Sequence, residues 1–196
     1  MGLHADVSVD GLPFNRVSFG RVIVYPQGAG ALLVAQELPA SGLVCLVDVG
    51  YKTTDFVTAE IRDGQARPIS SLCGSVETGV YYAEAIAGNS YQAKTGAPAN
   101  PARLPEMLRA GRFVFRGAEV DFRREAAAAR GAVARTVADR VLAHLGDRAD
   151  EVACFYLAGG GTEALPELAE MFPGAVIKLP EAQWANAKGF LKAVGC

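Results

Sequence analysis

Hydrophobic and polar positions alternate loosely over residues 5–25: Val7 and Val9, then Val17 and Phe19, then Val22-Ile23-Val24-Tyr25. A two-residue period predicts strands, and Asp10-Gly11 between the first two runs predicts a hairpin turn. Pro26-Gln27-Gly28 ends the last run, and residues 29–36, with Ala31, Leu32, Leu33 and Ala35, read as a short helix. Residues 43–47 are continuously apolar, the mark of a strand covered on both faces. The chain returns through Phe56, Val57, Ala59 and Ile61, and Asp63-Gly64 turns it into a third strand at 66–71. Three neighbouring strands joined by short loops predict an antiparallel meander.

From Ser75 the period lengthens. Val76, Val80, Ala83 and Ala87 recur at helical spacing, and Gly88-Asn89 is expected to close that helix. Residues 95–123 mix three prolines, a short helical stretch near 106–110, and Phe113, Phe115, Val120 and Phe122 around Gly117, and read as a small inserted subdomain. Residues 125–145 predict a long Ala-rich helix, with Val133, Val137, Val141 and Leu145 four apart and Gly146 as its stop. A strand at 152–157, a helix at 166–171, a strand at 175–179 and a helix at 181–194 complete the chain. This order predicts an α/β fold of the ribonuclease-H-like type. Its mixed sheet is antiparallel in the meander and parallel at the crossovers, with helices on both faces.

Composition narrows the function classes. The 196 residues, 51% hydrophobic, suffice for one core but not for two full α/β lobes, since a domain runs to about 100–150 residues. A net charge of −2 without a basic block argues against nucleic acid or an anionic membrane as a direct partner. No apolar run reaches the ~18–20 residues of a spanning helix, and Met1-Gly2-Leu3-His4 does not start a signal peptide. Cys45, Cys73, Cys154 and Cys196 form no Cys-x-x-Cys pair, so free thiols in a reducing cytoplasm are expected. Two histidines, His4 and His144, cannot build a His-rich zinc site or complete a triad with Ser70-Ser71.

Three loops carry candidate chemistry. Asp48-Val49-Gly50-Tyr51-Lys52-Thr53-Thr54-Asp55 lies between two apolar strands. A tight turn there aims backbone N–H groups and the Thr53 and Thr54 hydroxyls at one point, which suits a phosphate, and Asp48 suits a hydrated Mg²⁺ beside it. The same residues also fit an ordinary hairpin whose Thr and Asp satisfy turn amides. Ala158-Gly159-Gly160-Gly161-Thr162 follows a buried strand, and its glycines permit a ligand to approach the backbone closely, or simply a sharp strand-to-helix turn. The third glycine comes too early for a dinucleotide fingerprint. Gln27 sits at a strand end, where a glutamine can orient a water for attack on a phosphate or be a plain turn residue. Tyr81, Tyr82 and Trp184 read as structural, Trp184 by packing against the sheet.

In chain order, these loops are followed by Phe172-Pro173 and by Pro180-Glu181-Ala182-Gln183-Trp184-Ala185-Asn186-Ala187-Lys188-Gly189-Phe190. Together they resemble the C-terminal part of bacterial and archaeal actin-like proteins, notably the ParM/StbA plasmid-segregation actins of the actin, Hsp70 and sugar-kinase superfamily. The resemblance runs from about Val22 to Lys192. It implies that Gly50, Thr53 and Thr54 cradle phosphates and that Asp48 serves Mg²⁺, directly or through water. It implies that Gly159, Gly160 and Gly161, with Thr162, pack on the adenosine of ATP or ADP, and that Gln27 orients the hydrolytic water. Residues 74–87 match the first connecting helix and the Ala-Asn-Ala-x-Gly segment the second. The first phosphate loop of that family has no match before Gln27, since Val9-Asp10-Gly11-Leu12 lacks its spacing. The expectation is therefore a nucleotide-binding lobe at 26–196 with an insert at about 95–123, and residues 1–25 as strands of an absent N-terminal lobe. It implies a filament-forming ATPase of plasmid segregation or the cytoskeleton, here incomplete and not expected to hydrolyse ATP as this chain alone. Self-association, the other lobe or a partner chain, and an adaptor protein are its implied partners. A small-molecule kinase fragment and a non-catalytic assembly module remain the alternatives.

Overall fold

The computed structural model describes residues 4–10, 12–18, 22, 24 and 28–195. The alternation at the start of the chain folds as a hairpin, β1 (His4–Val9) and β2 (Leu12–Ser18), which pair only with each other. The strand expected over residues 22–25 and Gln27 fall largely or wholly outside the described residues. Helix α1 (Ala29–Leu32) is shorter than its apolar run, and i→i−3 turns continue it as far as Ala35.

The meander forms as expected. β3 (Gly42–Val49) pairs antiparallel with β4 (Thr54–Arg62), and β4 with β5 (Gln65–Pro68). The next apolar positions divide differently from the expectation. Val76 belongs to a short strand, β6 (Gly74–Val76), on the other end of β4, and helix α2 (Val80–Thr95) starts only after it. Gly88-Asn89 does not close α2. The helix runs two turns further and ends at Gly96, whose left-handed backbone and N–H bond to the Gln92 carbonyl form the stop.

Helix α3 (Leu104–Ala110) and the hairpin β7 (Arg112–Phe115)–β8 (Ala118–Asp121) fill the stretch before α4 (Arg123–Leu145). β9 (Val152–Ala158), the single turn α5 (Gly161–Ala164), β10 (Ala175–Lys178) and α6 (Ala185–Ala193) follow. The expected helix at 166–171 is a 3₁₀ turn, Pro166–Glu170. β10, β9 and β3 are parallel, and β4 and β5 continue the sheet antiparallel.

Side-chain alternation on β3 builds two core layers. Cys45, Val47 and Val49 face α2 and α4, while Val44 and Leu46 face α1 and α6. Helices on both faces explain why β3 reads as one apolar run. The chain is thus an α/β fold with a mixed sheet between helices. No helix among the described residues is long and apolar enough to cross a membrane. Cys45, Cys73 and Cys154 are free thiols, and burial pushes the Cys45 thiol up to about 12, which leaves it inert at neutral pH.

Candidate functional site

The carboxyl ends of β3, β9 and β10 and the start of β4 share one edge of the sheet. That edge gathers the loops that follow each strand. Gly50 N–H donates to the Thr53 carbonyl at 2.9 Å, closing a tight turn between β3 and β4. The carbonyls of Gly50 and Tyr51 accept from Val80 and Tyr81 N–H at 3.3 and 2.8 Å. The turn thereby satisfies the free amides at the start of α2. Among the described residues, the N–H groups of Tyr51, Lys52 and Thr53 meet no protein acceptor, and Lys52 and Thr53 are exposed. Successive amides left without a protein acceptor in a tight turn suit an anion.

The two threonines part company. Thr53 faces outward, but Thr54 is fully buried and its hydroxyl donates to the Thr78 carbonyl at 2.7 Å. Strand alternation sends the two side chains to opposite sides, so Thr54 braces the approach to α2 and has no free hydroxyl for a phosphate.

Asp48 is buried at the end of β3 on the α6 side. Its Oδ2 accepts from Asn186 Nδ2, and Asn186 Oδ1 accepts from Gly28 N–H at 2.9 Å. The Gly28 donor fixes which end of the amide faces which partner. Burial raises the Asp48 carboxyl above the ordinary aspartate value, the Asn186 bond opposes that, and Asp55, its cross-strand partner, adds to it. A cation beside Asp48 would relieve both penalties. One hard oxygen ligand suits Mg²⁺, which keeps most of its waters and takes the rest of its shell from phosphates. Among the described residues no group of three or more His, Cys, Asp or Glu side chains is placed to hold a metal ion.

The glycine loop lies across this carboxylate. Gly159 has φ 84° and a Cβ there would collide with Asp48 Oδ1 and the Val49 carbonyl, so both conformation and space demand glycine. Gly159 N–H donates to the Ala182 carbonyl at 2.9 Å, and the buried Thr162 hydroxyl donates to the Gly159 carbonyl at 2.8 Å. Gly159, Gly161 and Thr162 therefore hold the loop against β3, and only Gly160 is exposed. Gly160 borders a cavity of about 510 Å³ between the loop, α2 and α3, walled also by Val80, Glu84, Arg130 and Glu163.

Three features escape the sequence reading. Asn186 ties the chain at Gly28 to Asp48 across the α1–α6 contact, and only its place among small residues on a helix sets it apart. Glu84 is buried on α2 and accepts from the Tyr51 hydroxyl at 2.8 Å. Its signal was an acid four residues after Val80, on the apolar stripe. Trp184 does not pack on the sheet and is 57% exposed, because α6 meets α1 through the small Ala185 and Gly189, which leave no slot for an indole. Tyr81 and Tyr82 are exposed, in edge-on contact with each other, and Tyr81 likewise with Tyr51.

The fold is similar to that of solved structures. Ta0583, an archaeal actin homologue, superposes with TM-score 0.80 at 25% identity, covering 94% of this chain and 59% of that one. Its complex with ADP gives 0.76 at 25% identity, covering 92% and 60%. A ParM from a 15-stranded Clostridium botulinum filament gives 0.80 at 22% identity, covering 93% and 56%. The chain thus spans less than two thirds of the length of each. No curated protein matches it. The family model of the archaeal actin homologue MreB-like C-terminal region matches residues 46–170. With that match across β3 to the turn after α5, the chain belongs to the archaeal actin homologue MreB-like, C-terminal family.

Proposed function

We propose that residues 26–196 are the nucleotide-binding lobe of an actin-like, filament-forming ATPase, with residues 95–123 as its small inserted subdomain. The observation that carries this reading is the convergence at one sheet edge of an anion-fitting turn, a buried carboxylate and a glycine loop beside a cavity of about 510 Å³. The cavity is large enough for a nucleoside. The ADP complex of the archaeal homologue supports a nucleotide as the occupant, and the ParM filament supports self-assembly. Mg²⁺, when bound, would neutralise phosphate charge.

In this reading the amides of residues 51–53 and the Thr53 hydroxyl hold phosphate oxygens. Asp48 holds the hydrated cation in place of the bond that it accepts from Asn186. Gly160 presents bare backbone to the adenosine. Gln27, one residue before the Asn186-tethered Gly28, orients the attacking water. In-line attack depends on holding both ends of the reacting phosphate, so binding by this chain is expected without steady turnover. The setting we propose is plasmid or DNA segregation, or cytoskeletal organisation.

The test is calorimetric titration of the chain with ATP and ADP, with and without Mg²⁺. Weak Mg²⁺-assisted binding is expected. Asp48→Ala should remove the Mg²⁺ dependence. Gly160→Val should block binding while the fold persists, because a Cβ at Gly160 meets only Gln183, at 3.6 Å. Absence of binding at millimolar nucleotide, or unchanged affinity in both variants, would refute the assignment.

A further inference from the structure

The cavity beside Gly160 takes its walls from parts of the chain that lie far apart in sequence. Pro105 and Leu108 come from α3, Arg130 from α4, and Gly160 and Pro166 from the glycine loop and the 3₁₀ turn that follows it. One side chain joins these three walls. The Nε and Nη2 groups of Arg130 both reach Glu167 Oε1 at 2.8 Å, and Glu167 is the residue after Pro166. Its Nη1 donates to the Leu108 carbonyl at 2.5 Å. Leu108 lies in the last turn of α3, where carbonyls have no helical donor. Arg130 thus closes that helix end from outside.

The pairing with Glu167 is not the best that these two groups can make. A guanidinium meets a carboxylate most strongly through two parallel bonds, one to each oxygen. Here Oε1 takes both donors, and Oε2 is sealed from solvent with no partner among the described residues. An acceptor left unmet is costly in a pair whose side chains are only 19% and 23% exposed. The bond to Leu108 fixes the guanidinium plane, and the carboxylate meets its Nε–Nη2 edge through one oxygen instead of two. The arrangement gives up pairing strength and keeps the span from α3 to the turn behind the glycine loop.

We propose that Arg130 is a positioning residue: it clamps the end of α3 to α4 and to the turn behind the glycine loop, and so sets the width of the cavity. Its effect on a ligand rests on the nucleotide reading above, whereas the clamp itself does not. Lysine cannot replace it, since an ammonium on a flexible stem lacks the planar fork that spans Leu108 and Glu167. The test compares the full chain with Arg130→Lys and with the double variant Arg130→Met/Glu167→Met, which puts apolar side chains of like length in place of the pair. Such a replacement is often neutral or stabilising, so urea denaturation should find the double variant at least as stable as the native chain. Deuterium exchange without ligand should nonetheless speed up at residues 108–111 in both variants, by about 10-fold or more, the range for a hydrogen bond to a charged group. Exchange in β3 and β9 should not change. ATP affinity should fall by a similar factor in both. Arg130→Lys, which keeps a charge beside Glu167, carries the same readings if the double variant does not fold. Unchanged exchange at 108–111 in a folded variant would show that Arg130 is no clamp. Faster exchange with undiminished ATP binding would show that the clamp does not set the cavity, and the nucleotide reading would stand. If the native chain binds no ATP, the nucleotide reading fails, and the exchange rates still decide the clamp.

Discussion

Asp48 combines burial, one amide donor and a carboxylate directly across the strand pair, and burial is the largest reason its carboxyl titrates high. Well below the ordinary aspartate value of about 4, both folded and unfolded chains hold the proton, and the group has no effect on stability. As pH rises from there through the higher folded value, the native state keeps a proton that the unfolded chain has released, and stability falls. Above the folded value the deficit is constant. In EDTA, Asp48→Asn should therefore melt at the same or a higher temperature than the native chain at neutral pH, with the difference shrinking toward pH 4. A variant that melts lower at every pH would show that burial of the charge is not the governing cost. This is the usual relation of a binding carboxylate to stability. Asp48, the Gly50 turn and Gly160 were legible as residue types at strand ends. The inward turn of Thr54 and the internal bond of Thr162 were not, because a hydroxyl's direction depends on carbonyls more than twenty residues away (Thr78) or on a loop's exact path. Asn186 and Glu84 were missed for the same reason: each acts through a partner far along the chain.

Among the elements, the contact between α1 and α6 is the tightest. A Cβ on Gly189 would collide with the Gly30 backbone, and one on Gly30 would stand 2.6 Å from the Phe190 ring. Gly189→Ala must therefore push α6 off α1 and carry Asn186 with it. A loss of about 1–3 kcal/mol is expected from such overpacking, read from urea denaturation. Gly131 in α4 is the matched control, since a Cβ there meets nothing within 4 Å. Gly131→Ala should stabilise by up to ~1 kcal/mol from helix propensity alone. Equal effects of the two would show that α1 and α6 can separate at little cost. Most strands and α4 were legible because their periods are long or their apolar runs continuous. The end of α2 was not, since packing on α3 and α4 outweighs the roughly 1 kcal/mol that one glycine costs within a helix. The helical reading of Val76 failed because four valines and alanines at helical spacing also fit a three-residue strand followed by a helix.

At the scale of the whole molecule, the β1–β2 hairpin stands apart from the six-stranded sheet. Two strands alone are marginal in water, and their outer edges pair with no other described strand. Val7 and Leu12 are exposed there. Such edges template pairing with another chain. Sedimentation of the full chain should show a concentration-dependent dimer or larger species, and a version beginning at Val22 should show less. A monomer at high micromolar concentration, or more association after removal, would overturn this. A different long-range property follows from the bond between Gly28 and Asn186, residues 158 positions apart. It makes the Gly28 amide a clock for the site. That proton exchanges with solvent only when Asn186 lets go, and Asn186 is shared with Asp48. Any ligand that takes the Asp48 oxygen from Asn186 loosens the amide's hold on Gly28. Deuterium uptake at position 28 should thus speed up on addition of Mg²⁺ and nucleotide while uptake around the Gly50 turn slows, so that occupancy of the Asp48 site is timed by the single amide proton of Gly28.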